Sequence, residues 1–146
     1  MARGYYHRSG SYALALAKFA EKAGANVDAV VRKVVLDLGT RIVERSPVDT
    51  GRFRANWQYG NFSDAGIPTE SLPDMDPSGA VSIGRIASEL PIKAGGMKHV
   101  LVNNLPYAQA LEDGYSKQAP HGMVALAVIE FQQVVDEAVS EVKGKG

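Results

Sequence analysis

The chain predicts an α+β fold, a small antiparallel β-sheet packed against two long amphipathic helices, with short helices between them. Three observations lead there. Apolar residues recur at helical spacing over residues 27–45 and again over residues 124–142. Two β-favouring runs, 52–61 and 98–103, lie between those patterns and can pair with each other. The connections are rich in proline and glycine, and 146 residues suit a single domain, 1–146, with a real core.

Composition narrows the function classes. There is no cysteine, so disulfides and thiolate metal sites are not available. No apolar run reaches the length of a transmembrane helix. The start, MARGYYHRSGSYALALAKF, is basic but lacks the apolar core and cleavage site of a signal peptide. Net charge is zero, yet unevenly laid out. Residues 1–60 hold ten basic and five acidic residues, a net of +5; residues 61–146 hold six and eleven, a net of −5. Such asymmetry marks either a surface that meets copies of itself or two halves that interleave in space.

In chain order, residues 1–11 read as an extended arm carrying Arg3, Tyr5, Tyr6, His7 and Arg8. Basic and aromatic interleaving can suit nucleic acid, but this composition fits a terminus that orders only against a neighbour. Tyr12 to Ala23 is alanine-rich and predicts a helix, capped by Ser11 and stopped by Gly24. Asn26 is placed as the cap of the next helix. Val27, Val30, Val31, Val34, Val35, Leu38 and Ile42 form its core face, opposite Asp28, Arg32, Lys33, Asp37, Arg41, Glu44 and Arg45. Its valines lower intrinsic helix propensity, so burial must hold it. Gly39 marks close packing against another backbone, or a tolerated weak point. Pro47 ends the helix by Arg45 or Ser46, and Ser46 to Gly51 form a turn.

Arg52 to Asn61 alternates like a strand. Phe53, Ala55, Trp57 and Tyr59 share the core face; Arg52, Arg54, Asn56 and Gln58 take the other. Residues 63–78 are acidic and proline-rich, a surface loop whose Asp64, Glu70, Asp74 and Asp76 lack calcium-loop spacing. Val81 to Leu90 reads as a short helix, although Val81, Ile83 and Arg85 also permit a strand. Lys98 to Asn103 is the partner strand for 52–61. Tyr107 to Asp113 follow Pro106 as two helical turns that stop at Gly114. The closing helix opens near Pro120, with a seam of Val124, Val128, Phe131, Val135, Ala138 and Val142. Glu130, Gln132, Gln133, Asp136, Glu137 and Glu141 lie outside the seam, and residues 143–146 form a frayed tail. The stretch from Asn103 to Met123, with two prolines, two glycines, two tyrosines and an acidic pair, is a fixed-geometry joint.

The residues offer little for catalysis. His7, His99 and His121 have no metal-ligand spacing between them. Neither a Gly-x-Ser-x-Gly elbow nor a phosphate-binding Gly-x-x-x-x-Gly-Lys loop occurs. Glu112 and Asp113 are adjacent, so on a helix they point apart. His121 reads as a capping or packing residue. The expectation is therefore no enzyme, no cofactor and no small-molecule substrate. A neutral chain also lacks the electrostatic footprint of a nucleic-acid binder.

Two blocks carry a resemblance. SPVDTGRFRANW, directly after a long helix, and VNNLPYAQALEDGYSKQAPHGMVALAV, before the last one, resemble the tail-component and tail-completion family of long-tailed bacteriophages, typified by an HK-type lambdoid phage. The blocks stand in the family's order and cover about a quarter of the chain. Asp113 stands where an aromatic is frequent, and His121 where a small residue is. The resemblance implies a structural virion protein of the neck, made in the host cytoplasm and assembled as a homo-oligomeric ring of six subunits. Its implied partners are the tail tube, the tail terminator and the head–tail connector, with passive contact to DNA in the channel. The alternatives are a tail terminator that caps the tube, or a small cytoplasmic binding or regulatory module. Partner contacts are expected from Arg3, Tyr5, Tyr6, Arg8, Arg52, Arg54, Asp74, Asp76, Tyr115, Lys117 and His121, and the opposite charges of the two halves would suit ring contacts.

Overall fold

The computed structural model describes residues 25–62 and 66–145. The expected arm over 1–11, the alanine-rich helix after it, and residues 63–65 of the acidic loop lie outside the described residues. The fold is α+β. Its spine is helix α1, Val27–Arg45, whose start is capped as expected: Asn26 Oδ1 accepts a hydrogen bond from the Ala29 amide at 2.9 Å. Val30, Val31, Val34 and Val43 are almost fully buried. Burying one valine contributes about 1.5–3 kcal/mol, more than the few tenths it costs in helix propensity. Tertiary burial therefore decides this element.

After α1 come α2 (Arg52–Ala55), β1 (Trp57–Asn61), α3 (Ala80–Glu89), β2 (His99–Asn103), α4 (Ala108–Glu112), α5 (Val124–Ile129) and α6 (Phe131–Lys145). The two strands pair antiparallel, from Trp57 opposite Asn103 to Asn61 opposite His99. Two core clusters result. In one, Val30, Val31 and Val34 of α1 meet Val134, Val135, Ala138 and Val139 of α6. In the other, Ile42 and Val43 pack with Phe53, Trp57, Tyr59, Ile86, Leu105 and Met123. Gly39 sits where a Cβ would lie 3.4 Å from both Ile86 Cδ1 and Leu101 Cδ1. It makes room for side chains of α3 and β2, not for another backbone.

Three expectations about elements are corrected. Residues 52–61 are not one strand: Gly51, at φ +92°, starts the short helix α2, and the strand begins only at Trp57. Phe53 and Trp57 still share a face because they stand four apart, and their rings meet edge-on at 5.8 Å. The closing helix is broken at Glu130, and its buried residues are Ala127, then Val134, Val135, Ala138 and Val139, so Val128 is exposed. Residues 143–145 remain helical rather than frayed. Residues 80–89 resolve as helix, with Ser82 and Ile86 buried.

A buried polar chain crosses the sheet. His99 Nε2 donates to the Ala94 carbonyl at 2.8 Å, which leaves Nδ1 to accept from the Tyr59 hydroxyl at 2.6 Å. Asn61 Nδ2 donates to that same hydroxyl. Burial lowers the His99 pKa and favours the neutral ring, in which both of these bonds can be made. His99 is a satisfied core residue.

Candidate functional site

Three connections converge at the C-terminal end of α1: the turn over 46–51, the end of the acidic loop, and the joint over 103–123. Ser46 begins the convergence. Its buried hydroxyl donates to Ile42 O at 2.7 Å and accepts from Trp57 Nε1 at 2.8 Å, satisfying both groups. Two residues on, the Gln118 side chain grips the turn. Its Nε2 donates to Val48 O at 3.0 Å, and its Oε1 accepts from the Val48 amide at 2.9 Å. The two blocks that carry the phage resemblance are thus bonded to each other across 70 residues of sequence.

Gly51 closes the turn against the acidic loop. Its carbonyl accepts from the Asp76 amide at 2.9 Å, and a Cβ there would lie 2.5 Å from Pro77 N. With φ at +92°, only glycine fits without strain. Arg54 then ties the pieces together. Nε donates to Ser46 O at 3.0 Å, Nη2 to Glu44 O at 2.7 Å and Nη1 to Pro77 O at 2.9 Å. A cation on the last carbonyls of α1 also complements the negative end of its dipole.

The acidic loop is held by side chains standing in for a third strand. Asn56 exchanges two bonds with the Leu72 backbone, Nδ2 donating at 3.1 Å and Oδ1 accepting at 2.6 Å. Gln58 and Asn104 donate to Glu70 O and Pro68 O, and Arg52 Nε reaches Leu72 O at 3.4 Å. Asp76 is buried and accepts from both the amide and the hydroxyl of Ser82, at 2.8 and 3.0 Å. Burial works against its charge, but hydrogen bonds from Ser82, with the Val81 and Gly79 amides adding to them, together outweigh it and hold the carboxyl below its usual range.

In the joint, Glu112 bridges α4 and α5. Its Oε1 accepts from the Met123 and Val124 amides at 3.0 and 2.9 Å, and Oε2 from the Ala125 amide at 2.9 Å. These are first-turn N–H groups that no helical carbonyl can satisfy. The carboxylate caps α5 from eleven residues away. Farther along, Glu130 fastens the α5–α6 break to α1. Arg45 Nη2 donates to Oε2 at 2.7 Å and Arg41 Nη1 to Oε1 at 3.0 Å. Arg45 Nη1 also lies 2.7 Å from Oε1, off the hydrogen-bond direction. The Arg45 hydrogen bond, with Arg41 adding to it, pulls the Glu130 pKa down to about 2. Lys33 and Glu141 pair at 2.9 Å on the same helix interface.

These placements sort the expected partner contacts. Arg3, Tyr5, Tyr6 and Arg8 lie outside the described residues. Asp74, Tyr115, Lys117 and His121 are exposed, Tyr115 at 85 %. Arg52, Arg54 and Asp76 bond the subunit's own backbone, each where a turn or loop leaves carbonyls or amides without helical or strand partners. Of the two readings of the charge asymmetry, the described residues show interleaving of the halves in part. Basic residues of the first half, Lys33, Arg41 and Arg45, pair with acids of the second, Glu130, Glu137 and Glu141, inside one subunit. Sequence reasoning passed over Glu112 and Gln118 as anchors, since nothing local shows which distant amides they meet. Glu130 was assigned to solvent by helical phase alone. Among the described residues, no three His, Asp or Glu side chains group as a metal site. Comparison of the chain with protein-family models, curated proteins and solved structures finds no match.

Proposed function

We propose that this chain is a structural virion protein of a long-tailed bacteriophage, a tail-completion subunit that forms a ring at the neck between head and tail tube. The observation that carries the reading is the bonding of the two resemblance blocks to each other. The Val48 turn and the Gln118 joint, far apart in sequence, form one hydrogen-bonded unit at the end of α1. The acidic loop and the joint that lead to it carry Met75, Tyr107 and Tyr115, at 64, 44 and 85 % exposure. A rigid backbone frame with large apolar side chains turned outward is suited to repeated contact with neighbouring subunits. The function is contact rather than chemistry: head-to-tail association closes into a ring where the rotation between copies allows it. Because the charges linking the two halves are paired internally, ring contacts fall to these exposed groups.

The test is the mass of the purified chain with and without a tail-tube protein, together with imaging of assembled particles. Ring-sized species at the top of the tube are expected. A chain that stays monomeric, ignores the tube protein and is missing from virions would refute the proposal. A ring that ends the tube without joining a head would assign the terminator role instead.

A further inference from the structure

We infer that residues 67–75 form a detachable strap, which opens as a unit and uncovers one face of the sheet while both core clusters stay closed. The face follows from strand geometry. Trp57 and Tyr59 belong to a core cluster and Leu101 packs against it, so Gln58, Gly60, Val100 and Val102 look the other way. Val100 and Val102 belong to neither core cluster, yet they are only 1 and 3 % exposed. The strap lies on that side. A Cβ on Gly60 would meet the Gly66 carbonyl, and would stand 2.7 Å from Pro68 Cδ and 3.1 Å from Ile67 Cα. Gln58 Nε2 donates to Glu70 O at 2.8 Å, and Asn104 Nδ2 to Pro68 O at 3.0 Å.

What holds the strap differs from what holds its ends. Before it, the Asn61 amide donates to Gly66 O at 3.0 Å; after it, Asp76 bonds Gly51 and Ser82. Among the described residues, no bond between main-chain groups involves residues 67–75. Pro68 and Pro73 have no N–H to offer a strand ladder. The attachments are side-chain amides, from Asn56, Gln58 and Asn104, with a longer contact from Arg52 at 3.4 Å. Ile67, Pro68 and Leu72 are half-buried, whereas Thr69 to Ser71 and Pro73 to Met75 are exposed. A segment with few buried apolar groups and no main-chain ladder opens at lower cost than the packed elements around it. Neither Ile67 nor Leu72 belongs to a core cluster, so lifting the strap leaves both clusters intact. The closed strap keeps two valines of the sheet from water, and the open one releases them.

None of this needs a second copy, so the strap and the ring proposal stand or fall separately. The absence of cysteine lets single thiols report the opening in the full chain. Val100→Cys places one beneath the strap, and Val134→Cys places one in the α1–α6 cluster. Labelling of each variant by a thiol reagent is compared with its own global unfolding, followed by Trp57 fluorescence. The V100C thiol is expected to react at least about tenfold faster than global unfolding allows, and the V134C thiol only at the global rate. Adding Gln58→Ala, which removes one attachment, is expected to speed V100C labelling about tenfold again and leave V134C unchanged. In the unsubstituted chain, hydrogen exchange gives a second readout. The Leu72 amide, held by Asn56 Oδ1 at 2.6 Å, is expected to exchange with a smaller urea dependence than the Val100 and Val102 amides of the strand pair. Global rates at both thiols, fast labelling of both, or no response to Gln58→Ala overturns the strap. Exchange of Leu72 in step with Val100 and Val102 overturns it as well.

Discussion

Replacing Glu112 by alanine removes the three acceptor contacts that begin α5, while the exposed neighbour Asp113 offers a matched control. Loss of a capping side chain costs about 0.5–2 kcal/mol, and hydrogen bonds to a charged group contribute about 1.5–3 kcal/mol each when buried. The contributions do not add in full. Ala125 is exposed and its amide regains water, whereas Met123 is buried and Val124 half-buried. A net loss of about 2–3 kcal/mol follows, with part of it from the helix dipole. At about 2–4 °C per kcal/mol for a domain of this size, Tm should fall by roughly 4–12 °C. Asp113→Ala loses one exposed bond from Gln109 and should cost no more than about 0.5 kcal/mol. Urea unfolding followed by the fluorescence of the single tryptophan, Trp57, and by far-ultraviolet circular dichroism measures both. Equal stability of the two variants would refute the idea that a remote carboxylate organises the joint.

Glu130→Gln should remove an acid-sensitive part of stability. Its folded pKa of about 2 lies below the ordinary 4.5, so the stabilisation is complete above pH 4.5 and disappears as pH falls towards 2. Its side chain is 28 % exposed, so solvent screening holds the loss at neutral pH to about 1–2 kcal/mol, and unfolding curves across that window should converge for the two proteins. Ser46→Ala leaves the Trp57 indole N–H buried without its acceptor and should cost about 1–3 kcal/mol, with a blue-shifted tryptophan emission. Asp76→Asn should destabilise by more than about 1 kcal/mol while Asp74→Asn stays within about 0.5, because only Asp76 is buried against Ser82; equal thermal midpoints would contradict that assignment.

Helix α1 and the strand pair were legible because their signals are local. A core face repeating every three or four residues, an Asn cap and a proline stop define α1 without help from the rest of the chain. The start of β1 was not legible, since Phe53, Ala55 and Trp57 fit an alternating strand and a helical turn about equally well. The left-handed Gly51, wedged against Pro77, selects the turn. The same limit hid the site. Asp76 and Asp74 look alike in sequence, and only the Ser82 amide and hydroxyl distinguish them. Glu112, Gln118 and Glu130 take their roles from partners 11, 70 and 85 or more residues distant. Periodicity reports which face of an element is apolar, not which far amide or guanidinium a polar side chain will meet.

The Gln118 grip on Val48 has a kinetic consequence. A side-chain amide that both donates to and accepts from the backbone of one residue couples the opening of the turn to the opening of the joint. Neither can expose its amides to solvent while the other holds. Hydrogen exchange at Val48 and Ala119 should therefore report one shared opening event, and Gln118→Ala should split it into two. The two stretches would then move as a single mechanical part, so that a push on either at a subunit boundary is felt by both.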